Sequence, residues 1–215
     1  KVQMEGLMRL KAMAKINLGL DVLGKREDGY HEVRMIMQTI RMYDILDIRK
    51  TRRPGIVLTT NLPFIPTDQR NLVYKAAQML MEEFDVEEGL SIKLRKFIPV
   101  AAGMAGGSSD AAAAFVGVNR MFHLGLTEEQ LMERAVKVGA DVPYCIMRGT
   151  ALAEGIGEKL TRLPEVPKCY VLIGKPGINV STKTAYENLN LEGIGKHPDI
   201  DGLIGAIRNN DLYAM

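Results

Sequence analysis

Cysteine is scarce. Cys145 and Cys169 are the two in 215 residues, too few for a disulfide scaffold and without the spacing of a metal site. Both read as small buried apolar residues in a reducing compartment. Charge of one sign is lacking too: 28 Lys+Arg against 26 Asp+Glu leave a net +2, which gives no reason to invoke nucleic acid or a membrane surface as a partner. No apolar run approaches the roughly 18 residues of a spanning helix, and no signal peptide opens the chain. A cytoplasmic location is therefore expected. Repeats and low-complexity tracts are missing apart from alanines 111–114, which are good helix-forming sequence. The chain opens on Lys1, and Met8 is a candidate natural start.

What remains is a soluble α+β pattern, 47% hydrophobic and 25% charged, with room for one large domain or two modest ones. Leu10–Leu23 and Val33–Ile40 read as paired strands around turn chemistry at Gly24–Gly29, with further strands at Asp44–Lys50 and Ile56–Thr60. After the loop marked by Pro63 and Pro66, Asn71 suits the N-cap of a helix with Leu72, Ala76, Met79 and Leu80 on its apolar face. Another strand is expected at Leu90–Lys96. Thr127-Glu-Glu-Gln130 is a capping box, opening a helix to about Gly139. Short strands follow at Tyr144–Met147, Ala151–Glu154 and Tyr170–Ile173, with turns at Gly149 and Gly155-Ile-Gly157.

The most informative stretch is Pro99-Val-Ala-Ala-Gly-Met-Ala-Gly-Gly-Ser-Ser-Asp-Ala-Ala-Ala-Ala114, between a strand ending near Ile98 and an alanine-rich helix. Glycines let a backbone approach an anion closely, and the N–H groups and dipole of a helix start favour phosphate. No Gly-Lys-Ser/Thr follows at P-loop spacing and no Gly-x-Gly-x-x-Gly occurs. The segment instead resembles the Pro-x-x-x-Gly-Leu-x-x-Ser-Ser motif of GHMP kinases, with Met104 in the leucine position. Ala14-Lys-Ile-Asn-Leu18 resembles another stretch of that family. Asp28-Gly-Tyr-His31 resembles its diphosphocytidyl-methylerythritol kinase branch. Gly139-Ala-Asp-Val-Pro143 is similar to the stretch carrying the catalytic aspartate, and Pro176-Gly177 to Tyr186 to the substrate-binding part. The matches span residue 12 to about 190. Met13 departs from the proline of many relatives, and the family's later glycine-rich segment has no counterpart before Met215.

The resemblance implies a two-domain GHMP kinase fold. A ribosomal S5 domain 2-like, ATP-binding domain would occupy residues 1–150, and an incomplete C-terminal α/β domain, the start of the part shaping the substrate cleft, residues 151–215. It implies transfer of the ATP γ-phosphoryl group to the 2-hydroxyl of 4-diphosphocytidyl-2-C-methyl-D-erythritol, with Mg²⁺ accompanying ATP. No carboxylate cluster identifies the metal's ligands. The partner is then a small molecule, with neither nucleic acid nor membrane, and the chain a monomer or homodimer. Alternatives are another GHMP kinase, acting on homoserine, mevalonate or a sugar, and a non-catalytic nucleotide- or RNA-binding module.

Residue by residue, the resemblance carries the ATP cradle onto Pro99, Val100, Ala101, Ala102, Gly103, Met104, Ala105, Gly106, Gly107, Ser108 and Ser109. Ser108 could equally cap the helix. Asp110 reads as a first-turn carboxylate favoured by the dipole. Asp141 lies past the helix end at Gly139, with Pro143 preventing the helix from resuming, so it projects from a turn. There it is an Asx-turn residue or, by resemblance, the catalytic base. A carboxylate is too weak a base to deprotonate an alcohol ahead of transfer, so it would orient the hydroxyl and take its proton late. Lys15 would lie beside Asp141 and the transferring phosphoryl group. Asn17, one strand period on, shares its face and would position substrate oxygens or Lys15. Tyr30 would stack on cytosine and His31 read its edge, although such a pair is also ordinary half-buried packing. Tyr186 would supply an opposite stacking face.

Overall fold

The computed structural model describes residues 6–178 and 182–215. The chain divides into two compact units, each discontinuous in sequence. One comprises the described residues up to Ala14, Arg41–Pro99 and Ala105–Met147; the other comprises Lys15–Ile40, Val100–Met104 and Arg148–Met215. Two long strands, β1 (Leu7–Lys25) and β2 (His31–Thr51), contribute one part to each unit.

The first unit adds β3 (Ile56–Thr60), α1 (Leu72–Glu83), β4 (Gly89–Arg95), α2 (Gly106–Met121), α3 (Glu128–Ala135) and α4 (Val142–Met147). β4 runs antiparallel to the C-terminal half of β2, from Ile45 opposite Arg95 to Thr51 opposite Gly89, and parallel to β3. A parallel pair needs a crossover, and α1 supplies it. Alternate residues Leu46 and Ile48 of β2 and Leu90, Ile92 and Leu94 of β4 are buried, as a sheet with one covered face requires. α2 lies close against that face. A β-carbon at Gly117 would stand 2.5 Å from Ile48 and 2.7 Å from Leu10, so glycine is what permits the approach.

In the second unit β5 (Thr150–Gly155) pairs antiparallel with the N-terminal half of β2, Val33 opposite Gly155 and Gln38 opposite Thr150, and β6 (Lys159–Arg162) pairs with β5. α5 (Thr182–Glu187) and α6 (Ile200–Arg208) complete it. Asp199 caps α6 by accepting the Gly202 N–H at 2.8 Å. Ile200, Ile204 and Ile207, at helical spacing, pack against Ile36 of β2.

Several expectations change. β2 is one strand, not two, because Arg41-Met-Tyr43 contains no glycine or proline to break it. The buried face of α1 is Val73, Ala76, Ala77, Leu80 and Met81, with Leu72 and Met79 half-buried. α3 opens on the expected capping box and stops at Ala135, four residues short of Gly139. Tyr144–Met147 is helical: the run is wholly buried, so it carries no alternation to mark a strand, and Pro143 in a first helical turn costs no hydrogen bond. Tyr170–Ile173 forms no strand, and Cys169 is exposed while Cys145 is buried. β6, α5 and α6 are additions to the expected elements.

Candidate active site

The glycine-rich turn lies between β4 and α2, as expected. Its backbone takes left-handed φ values at alternate residues, 53° at Ala101, 70° at Gly103 and 53° at Ala105. Two of these are alanines, for which that conformation is uncommon and costs energy. Ala105 is the N-cap of α2 and offers no side-chain acceptor. The first N–H groups of a helix have no partner within it, so a start without a capping side chain leaves them directed at whatever lies beyond the helix end. Gly107 is exposed and Ser108 half-buried on this first turn, while Pro99, Ala102 and Gly106 are half-buried and Val100 is exposed. Met104 is buried, and its carbonyl accepts the Lys15 N–H at 3.2 Å within the second unit.

Ser109 is placed differently from its neighbour. Its hydroxyl is buried, donates to the Met13 carbonyl at 2.5 Å and lies 3.4 Å from Cys145 Sγ. That position braces β1, α2 and α4 against one another within the first unit. Asp110 is not a solvated first-turn carboxylate. It is 2% exposed and accepts from Lys96 Nζ at 2.7 Å, and the same ammonium pairs with the fully buried Asp44. Burial, with the Asp44 carboxylate nearby, pushes the Asp110 carboxyl well above the usual carboxylate range, against the opposing pull of Lys96. Among the described residues its Oδ1 finds no hydrogen-bond partner. No sequence signal joins Asp44, Lys96 and Asp110, which come together only when β2, β4 and α2 pack.

Asp141 is half-buried and immediately precedes α4, its carbonyl accepting the Cys145 N–H at 3.1 Å. The aspartate thus stands at a helix start, the reverse of the helix-stopping role expected for Pro143.

In the second unit Lys15, 5% exposed on β1, donates from Nζ to Asn17 Oδ1 at 3.2 Å, so the two-residue strand period places both on one face. Residues 26–30 form the turn from β1 to β2. Asp28 accepts the Tyr30 N–H at 3.0 Å, Arg26 N–H donates to the Tyr30 carbonyl at 2.8 Å, and Gly29 takes φ 84°. Tyr30 is thereby held at the tip, 60% exposed. The His31 and Tyr186 rings stack, 5.0 Å between centroids and 27° between planes. Lys15 and Asn17 form one pair and His31 and Tyr186 another, while Asp141 belongs to the other unit. Among the described residues no group of three or more His, Cys, Asp or Glu is arranged to hold a metal, and no helix is long and apolar enough to cross a membrane.

Comparison with known proteins supplies the frame for these placements. The family model for the GHMP kinases N terminal domain matches residues 71–149. A 4-diphosphocytidyl-2-C-methyl-D-erythritol kinase of Lachnospira eligens is 56% identical over 95% of this chain and 71% of its own length. One from Lachnoclostridium phytofermentans is also 56% identical, over 97% of this chain and 72% of its own. Among solved structures, a crystal structure of 4-(cytidine 5'-diphospho)-2C-methyl-D-erythritol kinase superposes with a TM-score of 0.77 at 30% identity, covering 95% of this chain and 72% of that one. With identity above half, sustained over more than two thirds of each relative, the chain belongs to the 4-diphosphocytidyl-2-C-methyl-D-erythritol kinase family of GHMP kinases.

Proposed function

We propose that this protein transfers the γ-phosphoryl group of ATP to the 2-hydroxyl of 4-diphosphocytidyl-2-C-methyl-D-erythritol, in the non-mevalonate route to isoprenoid precursors. The observation that carries the reading is the left-handed turn running into an α2 start without a side-chain cap, inside the segment matched by the GHMP model. Its N–H groups and dipole suit the phosphates of ATP. Residues Pro99–Ser109 form the cradle, with Ser108 the hydroxyl on its accessible side and Ser109 the brace beneath it. The family-model match over residues 71–149 supports a nucleotide-binding domain within the expected 1–150, while Lys15–Ile40 and Val100–Met104 group with Arg148–Met215 rather than dividing from them at residue 150.

Phosphoryl transfer asks for alignment and charge neutralisation more than for covalent chemistry. Asp141 orients the acceptor hydroxyl and takes its proton late. Lys15, steadied by Asn17, counters the charge on the transferring group. Tyr30 offers an open aromatic face for cytosine. The Tyr186 ring fixes the plane of His31, leaving the imidazole edge to read the base's donors and acceptors. Mg²⁺ is proposed to travel with ATP. Phosphates and water would supply most of its ligands. A cytoplasmic monomer or homodimer completes the proposal.

Asp141→Asn tests the assignment. It keeps size and most hydrogen bonding, so turnover is expected to fall by about 10²–10⁴ with ATP affinity little changed. A folded variant with the parent kcat would remove Asp141 from the chemistry. A panel of the diphosphocytidyl substrate, homoserine and mevalonate tests the acceptor, and turnover confined to homoserine or mevalonate would overturn it.

A further inference from the structure

We infer that Asp44 is a positioning residue for the ATP-binding turn, holding both of its ends from a single buried carboxylate; this rests on the reading of residues 99–109 as the phosphate cradle. β4 stops at Arg95, and beyond it the chain has no ladder to fix its course into the turn. Asp44, on β2 and wholly buried, takes over that task. Its Oδ1 accepts the Phe97 N–H at 2.5 Å and the Ile98 N–H at 2.8 Å, the last two residues before Pro99. Its Oδ2 pairs with Lys96 Nζ, and that ammonium reaches on to Asp110 Oδ2 at 2.7 Å in the first part of α2. Asn61 steadies the entry strand as well, pairing with both backbone groups of Lys96 at 2.8 and 3.2 Å, but Asp44 is the side chain that joins entry strand to exit helix.

Gly106 records the same linkage from the other side. A β-carbon there would sit 3.1 Å from Lys96 Nζ and 3.2 Å from the Ile98 side chain, so the helix start is seated directly on the ammonium. The three charged groups are each 8% exposed or less, and in such surroundings removing one partner leaves a charge uncompensated and forces the others to move. A cradle made of backbone N–H groups is useful only if those groups stay aimed within a fraction of an ångström of the phosphates. Asp44 supplies that constraint without touching the nucleotide.

Asp44→Asn retains an acceptor for the two N–H groups while presenting Lys96 with a neutral amide, so Lys96 loses its tie to β2. Calorimetric titration with ATP, well below the melting temperature, is expected to show affinity about 10- to 100-fold weaker. Affinity for 4-diphosphocytidyl-2-C-methyl-D-erythritol should change by less than about twofold. Asp44→Glu keeps the charge but lengthens the arm, with an expected loss for ATP of about 3- to 10-fold; it carries the test if the asparagine variant yields too little folded protein. A purely structural role would lower the melting temperature with ATP affinity intact in the folded protein, and that result in either variant overturns the inference. Gly107→Glu separates this from failure of the cradle reading. The position is exposed, and a carboxylate there should abolish ATP binding by repulsion. ATP binding unchanged in Gly107→Glu sinks the cradle and the inference with it. Loss in Gly107→Glu beside full affinity in Asp44→Asn sinks the inference alone.

Discussion

Val142–Met147 and Tyr170–Ile173 are two apolar runs with opposite fates. Every residue of the first is buried in α4, packed by α2 and α3. In the second, Tyr170 and Leu172 are fully exposed at 106% and 99%. Tyr144–Met147 within the first and the whole of the second read as short strands in the sequence, and neither is one. A strand needs a neighbour to pair with and a face to cover, and an apolar run states only that something should cover it. In α4 two helices do so; at 170–173 no strand among the described residues pairs with the run.

The difference can be put to measurement. Tyr144→Ala empties a side chain that is 1% exposed and should cost about 3–5 kcal/mol in urea denaturation. A loss under about 1 kcal/mol would show that α4 repacks freely and is no better anchored than 170–173. A smaller effect is expected from a buried charge in the same unit. The native Asp110 carboxyl binds its proton more tightly than the unfolded one, so stability falls as pH rises from near the ordinary value of 3.8 toward the raised native value. Asp110→Asn removes that contribution, leaving Asp44 and Lys96 paired. The variant's stability relative to the parent should therefore improve between about pH 4.5 and 7.5 in paired urea titrations. A constant difference across that range would mean that Asp110 ionises as a solvated carboxylate does. Least of all, Leu172→Lys should change stability by no more than about 0.5 kcal/mol. A loss above about 2 kcal/mol would place a cover over 170–173 and erase the contrast with α4.

The same contrast marks what was legible in the sequence. The turn before α2, the Asn71 cap and the Thr127 capping box are local devices whose parts lie within a few residues, and each is found where the sequence puts it. β3, β4 and β5 are alternating or β-branched runs bounded by turns, and they too stand where expected. α4 is not legible because complete burial erases periodicity. α6 carries a signal legible in the sequence, Asp199 followed by Ile200, Ile204 and Ile207 at helical spacing. At the site, Lys15 with Asn17 follows from strand period alone, whereas Asp141 precedes a helix where the sequence suggests only a turn, and Tyr186 lies on a helix that no sequence signal marks. The Asp44–Lys96–Asp110 cluster and the Ser109 brace follow from no local rule, since their partners meet only through packing.

The continuous β2 has a consequence for how the chain is made. Its C-terminal half finds β4 a short way along the sequence, whereas Val33 waits for Gly155. During synthesis that N-terminal half must leave the ribosome long before β5 exists, with one row of amide and carbonyl groups open to any passing extended chain. Loop closure of that length is slow, so the ladder between β2 and β5 is expected to form after the more local one between β2 and β4. A longer unpaired lifetime on that edge would raise the share of nascent protein lost to association, whatever the stability of the finished sheet.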